Sequence, residues 1–444
     1  MNTPIADFVR RYAESDTARL HMPGHKGRSF LGCEAFDITE ISGADALYEA
    51  DGIIRESERH ASALFGSAET LYSTEGSSQC IRAMLHLCLT CRAPGASGTI
   101  VAARNVHKAF VYAAALLGFD IRWLWPEKMT SLCTCEVTAE ALERELSAMT
   151  APPAAVYITS PDYLGGCADL RALSEVCHSH GTILAVDNAH GAYLRFLSPS
   201  LHPMDLGADI CCDSAHKTLP VLTGGAYLHI SKHAPTAFCA QAKQAMALFG
   251  STSPSYLTLA SLDLCNAYLA NEYRALLSAA LDRITALRRQ LTADGWRILP
   301  SDPLKITLDA KAAGMTGGEL ADRLRLRGAE CEFADPETVV LMLTPENTQE
   351  DMNRIIHALG ACGSTPLPWP QLPAPRGRRV CSVREAIFAP HESIPVHKAL
   401  GRVCGAPAIS CPPAIPIAVS GEEITQEALT VFEHYGIHAV DVLI

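Results

Sequence analysis

Ile183-Leu184-Ala185-Val186-Asp187-Asn188-Ala189-His190-Gly191 joins four apolar residues to a polar cluster that ends in glycine. The apolar run is short and closes on turn-forming residues, so it reads as a buried strand whose carboxyl end carries an aspartate and a histidine. Ile210-Cys211-Cys212-Asp213-Ser214-Ala215-His216-Lys217 has the same form, with a lysine in the cluster. On either side, residues 99–103, 121–125, 155–159 and 226–230 are strand-like, while residues 79–89, 108–117, 139–149 and 170–180 carry helical periodicity. This alternation predicts an α/β fold, with a large domain built on a mainly parallel sheet sandwiched by helices. Ligands of such sheets sit beyond the carboxyl ends of the strands. Asn105-Val106-His107-Lys108, Ser160-Pro161-Asp162 and the clusters at 187–190 and 214–217 all follow strands directly.

The rest of the chain divides by composition. Residues 1–20 suggest a short amphipathic arm, and 21–270 the large domain. Residues 256–291 read as continuous helix leading out of it. A smaller α/β domain is expected over 271–365, from strand-like runs at 304–308 and 338–343 around a helix at 318–327. A Pro-rich passage, 366–375, opens a C-terminal subdomain, 366–444, with helices at 384–388 and 427–435.

Of 444 residues, 48% are hydrophobic and 19% charged, enough for a large core and too apolar for a disordered chain. A net charge of -12 disfavours nucleic acid and anionic membrane as partners. Met1 to Arg10 has no apolar leader segment, and no run is long enough to span a membrane. With 17 cysteines in no repeating frame, a reducing cytoplasm is expected. Cys88-Leu-Thr-Cys91 ends an apolar helical run without a second CxxC, so buried helix cysteines are expected there and no metal. Arg376-Gly377-Arg378-Arg379 reads as a solvated basic loop.

The strand-end residues point to one chemistry. A lysine after an apolar strand, among hydroxyls and an imidazole, is placed to hold a carbonyl as a Schiff base. Asp187, at the end of another strand, suits a pyridinium counter-ion, and the two together suit pyridoxal 5'-phosphate. Asp187 also has a simpler reading as a helix cap. His190 would lie close to that aspartate or to the cofactor oxygen. Gly76, Ser77 and Ser78 precede the helix at 79–89, where backbone N–H groups and hydroxyls receive phosphate or simply cap the helix. Ser214 and His216, beside the lysine, complete such a cup. His107 has the position and the flat ring to stack on a pyridine. In Ser251-Thr252-Ser253-Pro254-Ser255-Tyr256 the hydroxyls cap a helix or, through Thr252, reach the phosphate. A basic substrate side chain would need an acidic partner, for which Asp45, Glu75 and Asp162 are candidates.

Taken together, His21-Met-Pro-Gly-His-Lys26, Arg104-Asn-Val-His-Lys108, Asp187-Asn-Ala-His-Gly191 and Ser214-Ala-His-Lys217 resemble the bacterial ornithine/lysine/arginine decarboxylases. Ser251–Tyr256, Leu259-Ala-Ser-Leu-Asp263 and, more weakly, Cys411-Pro-Pro-Ala-Ile-Pro416 extend the resemblance from about residue 20 to the C-terminus. It implies a pyridoxal-phosphate enzyme of the aspartate-aminotransferase fold type, in a compact form without the N-terminal wing of larger members. It implies decarboxylation of arginine, lysine or ornithine through an external aldimine and a quinonoid, as in polyamine biosynthesis. Aminotransferase or lyase chemistry on the same cofactor, or a non-catalytic regulator, are the alternatives. Lys217 is implied as the aldimine lysine, Asp187 at the pyridine nitrogen, His107 on the ring, and Ser77, Ser78, Ser214 and His216 at the phosphate. A homodimer or higher homo-oligomer with shared active sites is implied as well. Three segments depart from the family pattern. Gly224-Gly225 replaces a Gln before small residues, Asp45-Ala46-Leu47-Tyr48 replaces Asp-Asp-Leu-His, and Asn188 replaces the Glu of Asp-Glu-Ala-His.

Overall fold

The computed structural model describes residues 1–363, 365–409 and 414–444. Two compact units interleave along the chain, one of residues 1–97, 143–158 and 169–275, the other of 98–142, 159–168 and 276–444. In chain order the first elements are α1 (Pro4–Ala13), α2 (Ile53–Phe65), β1 (Glu69–Ser73), α3 (Ser77–Thr90), β2 (Thr99–Ala103), α4 (Lys108–Leu117), β3 (Asp120–Leu124) and α5 (Ala139–Ser147). There follow β4 (Ala155–Thr159), α6 (Leu170–Ser179), β5 (Ile183–Asp187), β6 (Ile210–Asp213), α7 (Ala215–Thr218), β7 (Ala226–Ile230), α8 (Thr236–Leu248), α9 (Tyr256–Asn271) and α10 (Tyr273–Ala293).

In the first unit the strands run in the order β1-β7-β6-β5-β4. β5 and β6 are parallel, with Ala185 opposite Ile210 and Asp187 opposite Cys212. β7 opposes both of its neighbours, β6 and β1. β6 and β7 are buried at every position, as expected of strands covered on both faces. The register therefore delivers Asp187 and the 214–217 cluster to the same edge of the sheet.

The arm at the N-terminus is helical from Pro4, with Ile5, Ala6 and Val9 buried. Its first turn is capped from afar: Ile5 and Ala6 donate their backbone N–H groups to Asp263 Oδ2 of α9, at 2.9 and 3.0 Å. Ser57 of α2 donates to the other carboxylate oxygen at 2.6 Å. The helix expected over 256–291 is two helices. α9 closes at Glu272, whose N–H returns to Tyr268 O, and the fully buried Tyr273 opens α10 against Phe196 and Tyr268. Buried aromatic packing produces a break that no glycine or proline announces.

In the second unit β2 and β3 pair in parallel. The remaining elements are β8 (Ile298–Leu299), β9 (Lys305–Asp309), α11 (Gly317–Arg325), β10 (Phe333–Ala334), β11 (Thr338–Met342) and α12 (Gln349–Leu359). After them come α13 (Val383–Phe388), β12 (His391–Pro395), β13 (Ala408–Ile409), β14 (Pro416–Ala418), α14 (Gln426–His434) and β15 (Ala439–Leu443). A four-stranded sheet in the order β10-β11-β9-β8 is antiparallel throughout. Capping boxes, Thr316 with Glu319 and Thr348 with Asp351, start α11 and α12. β12 pairs with β15, and a core of Val396, Ile417, Val431, Phe432 and Val442 lies near them. Part of the motif Cys411–Pro416, at 411–413, lies outside the described residues. Among the described residues no helix is long and apolar enough to cross a membrane.

Candidate active site

Lys217 sits on α7, a single helical turn that begins just after Ser214, the residue following β6. It is half-buried, and its Nζ lies 3.0 Å from His190 Nε2. Asp187, the last residue of β5, is 2% exposed. Its Oδ2 accepts the Tyr157 hydroxyl at 3.0 Å, and its Oδ1 accepts the Ala189 N–H at 3.2 Å. Burial pushes the Asp187 carboxyl above its ordinary value, opposed by the nearby Lys217 charge and by these hydrogen bonds. A buried carboxylate in this state favours a cationic partner.

The start of α3 forms a second group beside this one. Gly76 caps the helix at φ +74, and a Cβ built there meets nothing within 4 Å. Open space above a helix N-terminus lined by small residues is where an anion is received. Ser214 Oγ donates to Ser77 Oγ at 2.7 Å, which ties α3 to the β6 edge. Ser78 follows as the second helical residue. His216 is held by Gly225 O, 3.0 Å from its Nδ1. The glycine pair that departs from the family pattern has a structural cause. Gly224 has φ +97, and a Cβ there would lie 2.6 Å from Thr74 O, while Gly224 O accepts the Gly76 N–H at 2.7 Å. The turn before β7 is pressed under the start of α3, and only glycine fits.

Two of the candidate acidic partners are engaged otherwise. The Asp45 carboxylate accepts N–H groups from Ala46, Asp51, Gly52, Ile54 and Arg55, and so caps α2. Exposed Glu75 accepts the Ser251 N–H. Tyr48, the other departure in that segment, accepts a hydrogen bond from Gln79 Nε2 at 2.8 Å. Its ring also explains Gly250, where a Cβ would fall 1.8 Å from the Tyr48 hydroxyl. Within 251–256 it is Ser255 that caps α9, and Thr252 is exposed.

His107 and Asp162 lie in the second unit. His107 caps α4, its Nδ1 accepting the Ala109 N–H at 3.1 Å. Asp162 follows β4 and is 7% exposed, and burial pushes its carboxyl up to about 6 against the pull of the Gly166 N–H and Lys305. Cys88 is buried in α3 as expected, whereas Cys91 is the C-cap of that helix and only partly buried.

Sequence reasoning passed over Tyr157 and a buried group behind the site, Asp213 with His202 and His229. A histidine inside the apolar strand Ala226–Ile230 was the available signal. His202, Cys211 and Asp213 bring ligand atoms within 4.8 Å of one another. The Met204 N–H points at His202 Nδ1, so Nε2 carries the proton and donates to Asp213. The set is a hydrogen-bonded network, and that nitrogen has no lone pair to offer a metal.

The sequence profile described as "Orn/Lys/Arg decarboxylase, major domain" matches residues 3–353. An arginine decarboxylase of Bacillus subtilis is 30% identical over 467 residues, covering 96% of this chain and 92% of the relative. One of Halalkalibacterium halodurans is 30% identical over 464 residues, with the same coverage. Among solved structures, the Francisella novicida lysine decarboxylase LdcF matches with a TM-score of 0.81 at 16% identity, covering 100% of this chain and 81% of that one. A serine palmitoyltransferase of Sphingomonas wittichii, at TM-score 0.55 and 14% identity, covers 81% of this chain and 82% of its own, and shares the fold.

Proposed function

Because this chain belongs to the Orn/Lys/Arg decarboxylase family, we propose that it removes the α-carboxylate of arginine, with lysine and ornithine as competing substrates. It is a pyridoxal-phosphate-dependent decarboxylase of a basic amino acid, with the type I fold of such enzymes. Arginine is favoured because both relatives at 30% identity are named arginine decarboxylases. When bound, the cofactor supplies a conjugated ring that accepts the electron pair left on Cα as carbon dioxide departs.

The residues present fit that group. The observation that carries the reading is the Lys217–His190 contact of 3.0 Å at a sheet edge shared with buried Asp187. Lys217 would hold the cofactor covalently. Asp187 would keep the proton of the ring nitrogen in place, with Tyr157 and Ala189 holding the carboxylate for that task. Gly76, Ser77 and Ser78, with Ser214 and His216, would receive the phosphate at the start of α3, joined by Thr252 of the 251–255 loop. For His107 against the ring, the support is the motif Arg104-Asn-Val-His-Lys108. The chain would set the outcome by orienting the substrate carboxylate for departure, and the Lys217–His190 pair would return a proton to Cα. Exposed Leu20, Met22, Phe30 and Leu31 support self-association as a dimer, and the free cysteines among the described residues support a cytoplasmic setting.

Incubation of the cofactor-loaded protein with arginine, lysine and ornithine, followed by mass spectrometry of amine and carbon dioxide, tests this. Amine and carbon dioxide in equal amounts are expected, fastest from arginine. Keto acid in place of amine would establish transamination. Bound cofactor with no turnover would establish a regulator.

A further inference from the structure

Behind the 187–190 turn lies a group of side chains that the proposed chemistry does not use. Asp213 closes β6, four residues before Lys217, and is wholly buried. His202 Nε2 and His229 Nε2 both meet its Oδ2, at 3.0 and 3.1 Å, and Asn188 Nδ2 meets Oδ1 at 2.7 Å. The imidazoles are oriented from their far sides. Met204 N–H donates to His202 Nδ1 at 3.3 Å, and Thr70 Oγ1 lies 2.8 Å from His229 Nδ1, placed to donate its hydroxyl proton. Two imidazoles and one amide thus surround the carboxylate, so each of its oxygens meets a partner, as a buried charge requires.

Asn188 is the member of this group that reaches the site. It sits between Asp187 and His190 in sequence. Its own N–H bonds Cys212 O at 2.9 Å, and its carbonyl accepts the Gly191 N–H at 2.7 Å. Its side-chain oxygen occupies the space beside Gly191, where a Cβ would lie 2.0 Å from it. Asn188 is therefore fastened to β6 through backbone and side chain, and the turn it fastens carries His190 to Lys217. The family pattern has a glutamate at this position. Here a carboxylate at 188 would face Asp213 at hydrogen-bond distance in a buried site, where like charges are strongly unfavourable.

We infer that Asn188 and Asp213 form a positioning pair, braced by His202 and His229, that sets the 187–190 turn against Lys217 and so governs capture of the cofactor. This rests on the reading of Lys217 as the cofactor lysine. Titration of apoprotein with pyridoxal phosphate, followed by visible absorbance, tests it. Asn188→Asp should weaken cofactor binding by about tenfold, through coupling within one network. The double variant Asn188→Asp/Asp213→Asn should restore it to within about threefold of wild type. In the double variant, the amide introduced at position 213 would accept from both imidazoles through its oxygen. Its nitrogen would donate to the carboxylate introduced at position 188, so donors and acceptors still match. A double variant as weak as the single one, or a folded Asn188→Asp protein that binds like wild type, overturns the pair. If Asn188→Asp does not fold, Asn188→Ala decides. It removes the donor without adding charge, and wild-type affinity there overturns the inference while weakened affinity supports it. Lys217→Ala separates the two claims, since a band unchanged in that variant sinks the cofactor assignment and leaves the pair without a subject.

Discussion

Asp187 holds a carboxylate where almost no water reaches it, and three neighbours donate to it. Such a residue is legible from sequence as a strand-end aspartate, and so is Lys217 as a lysine in a setting wrong for the surface. Their mutual arrangement through His190 is not, because it depends on the register between β5 and β6. Replacing Lys217 with alanine is expected to abolish the visible cofactor band and to lower decarboxylation by at least about a thousandfold, measured on folded protein with equal far-ultraviolet dichroism. Asp162 supports a prediction about stability. Its carboxyl is raised from 3.8 to about 6 by burial, so between these values the folded chain binds more protons than the unfolded one. Stability from this group is therefore full below about pH 4 and declines as pH rises towards 6, by roughly 3 kcal/mol in total. Asp162→Asn keeps an oxygen for the Gly166 N–H. Relative to wild type, its thermal midpoint should rise from about pH 4 to about pH 7, and a pH-independent difference would contradict this linkage.

At the level of elements, the apolar runs announced their strands well: β2, β4, β5, β6 and β7 begin and end where the sequence places them. β1, Glu-Thr-Leu-Tyr-Ser, was not legible, because it is half polar and acquires strand geometry only by pairing with β7. Gly224, the first of the two glycines before β7, meets a packing requirement of the α3 start. Gly224→Ala is expected to displace the 74–76 turn and to weaken pyridoxal phosphate binding by about tenfold, because a left-handed φ and a close carbonyl both oppose a side chain. Fluorescence titration of the apoprotein measures it, and unchanged affinity would separate that turn from the phosphate site. The docking of α1 rests on Asp263 in the same way. Asp263→Ala leaves two helix-start N–H groups unanswered in a buried setting. It should lower stability by about 2 kcal/mol and expose the first turn of the chain to limited proteolysis.

For the molecule as a whole, the alternation of strands and helices was enough to reach the fold, since few architectures bury such a pattern. The distribution of exposed apolar side chains was not, because sequence shows which residues are apolar and not which are left uncovered. Leu20, Phe30 and Leu31 are 93%, 80% and 89% exposed, close together in the chain and next to Met22. If self-association covers them, Leu20→Ser with Phe30→Ser should shift the mass in light scattering from dimer towards monomer. A dimer unaffected by both changes would place the interface elsewhere.

The capping of α1 by Asp263 also orders events during synthesis. α1 is translated before α9, and the carboxylate that answers its opening N–H groups lies 258 residues downstream of Ile5. Until α9 has been translated, those two N–H groups lack their native acceptor. A pause in translation between the two helices therefore lengthens the time for which the start of α1 stays uncapped.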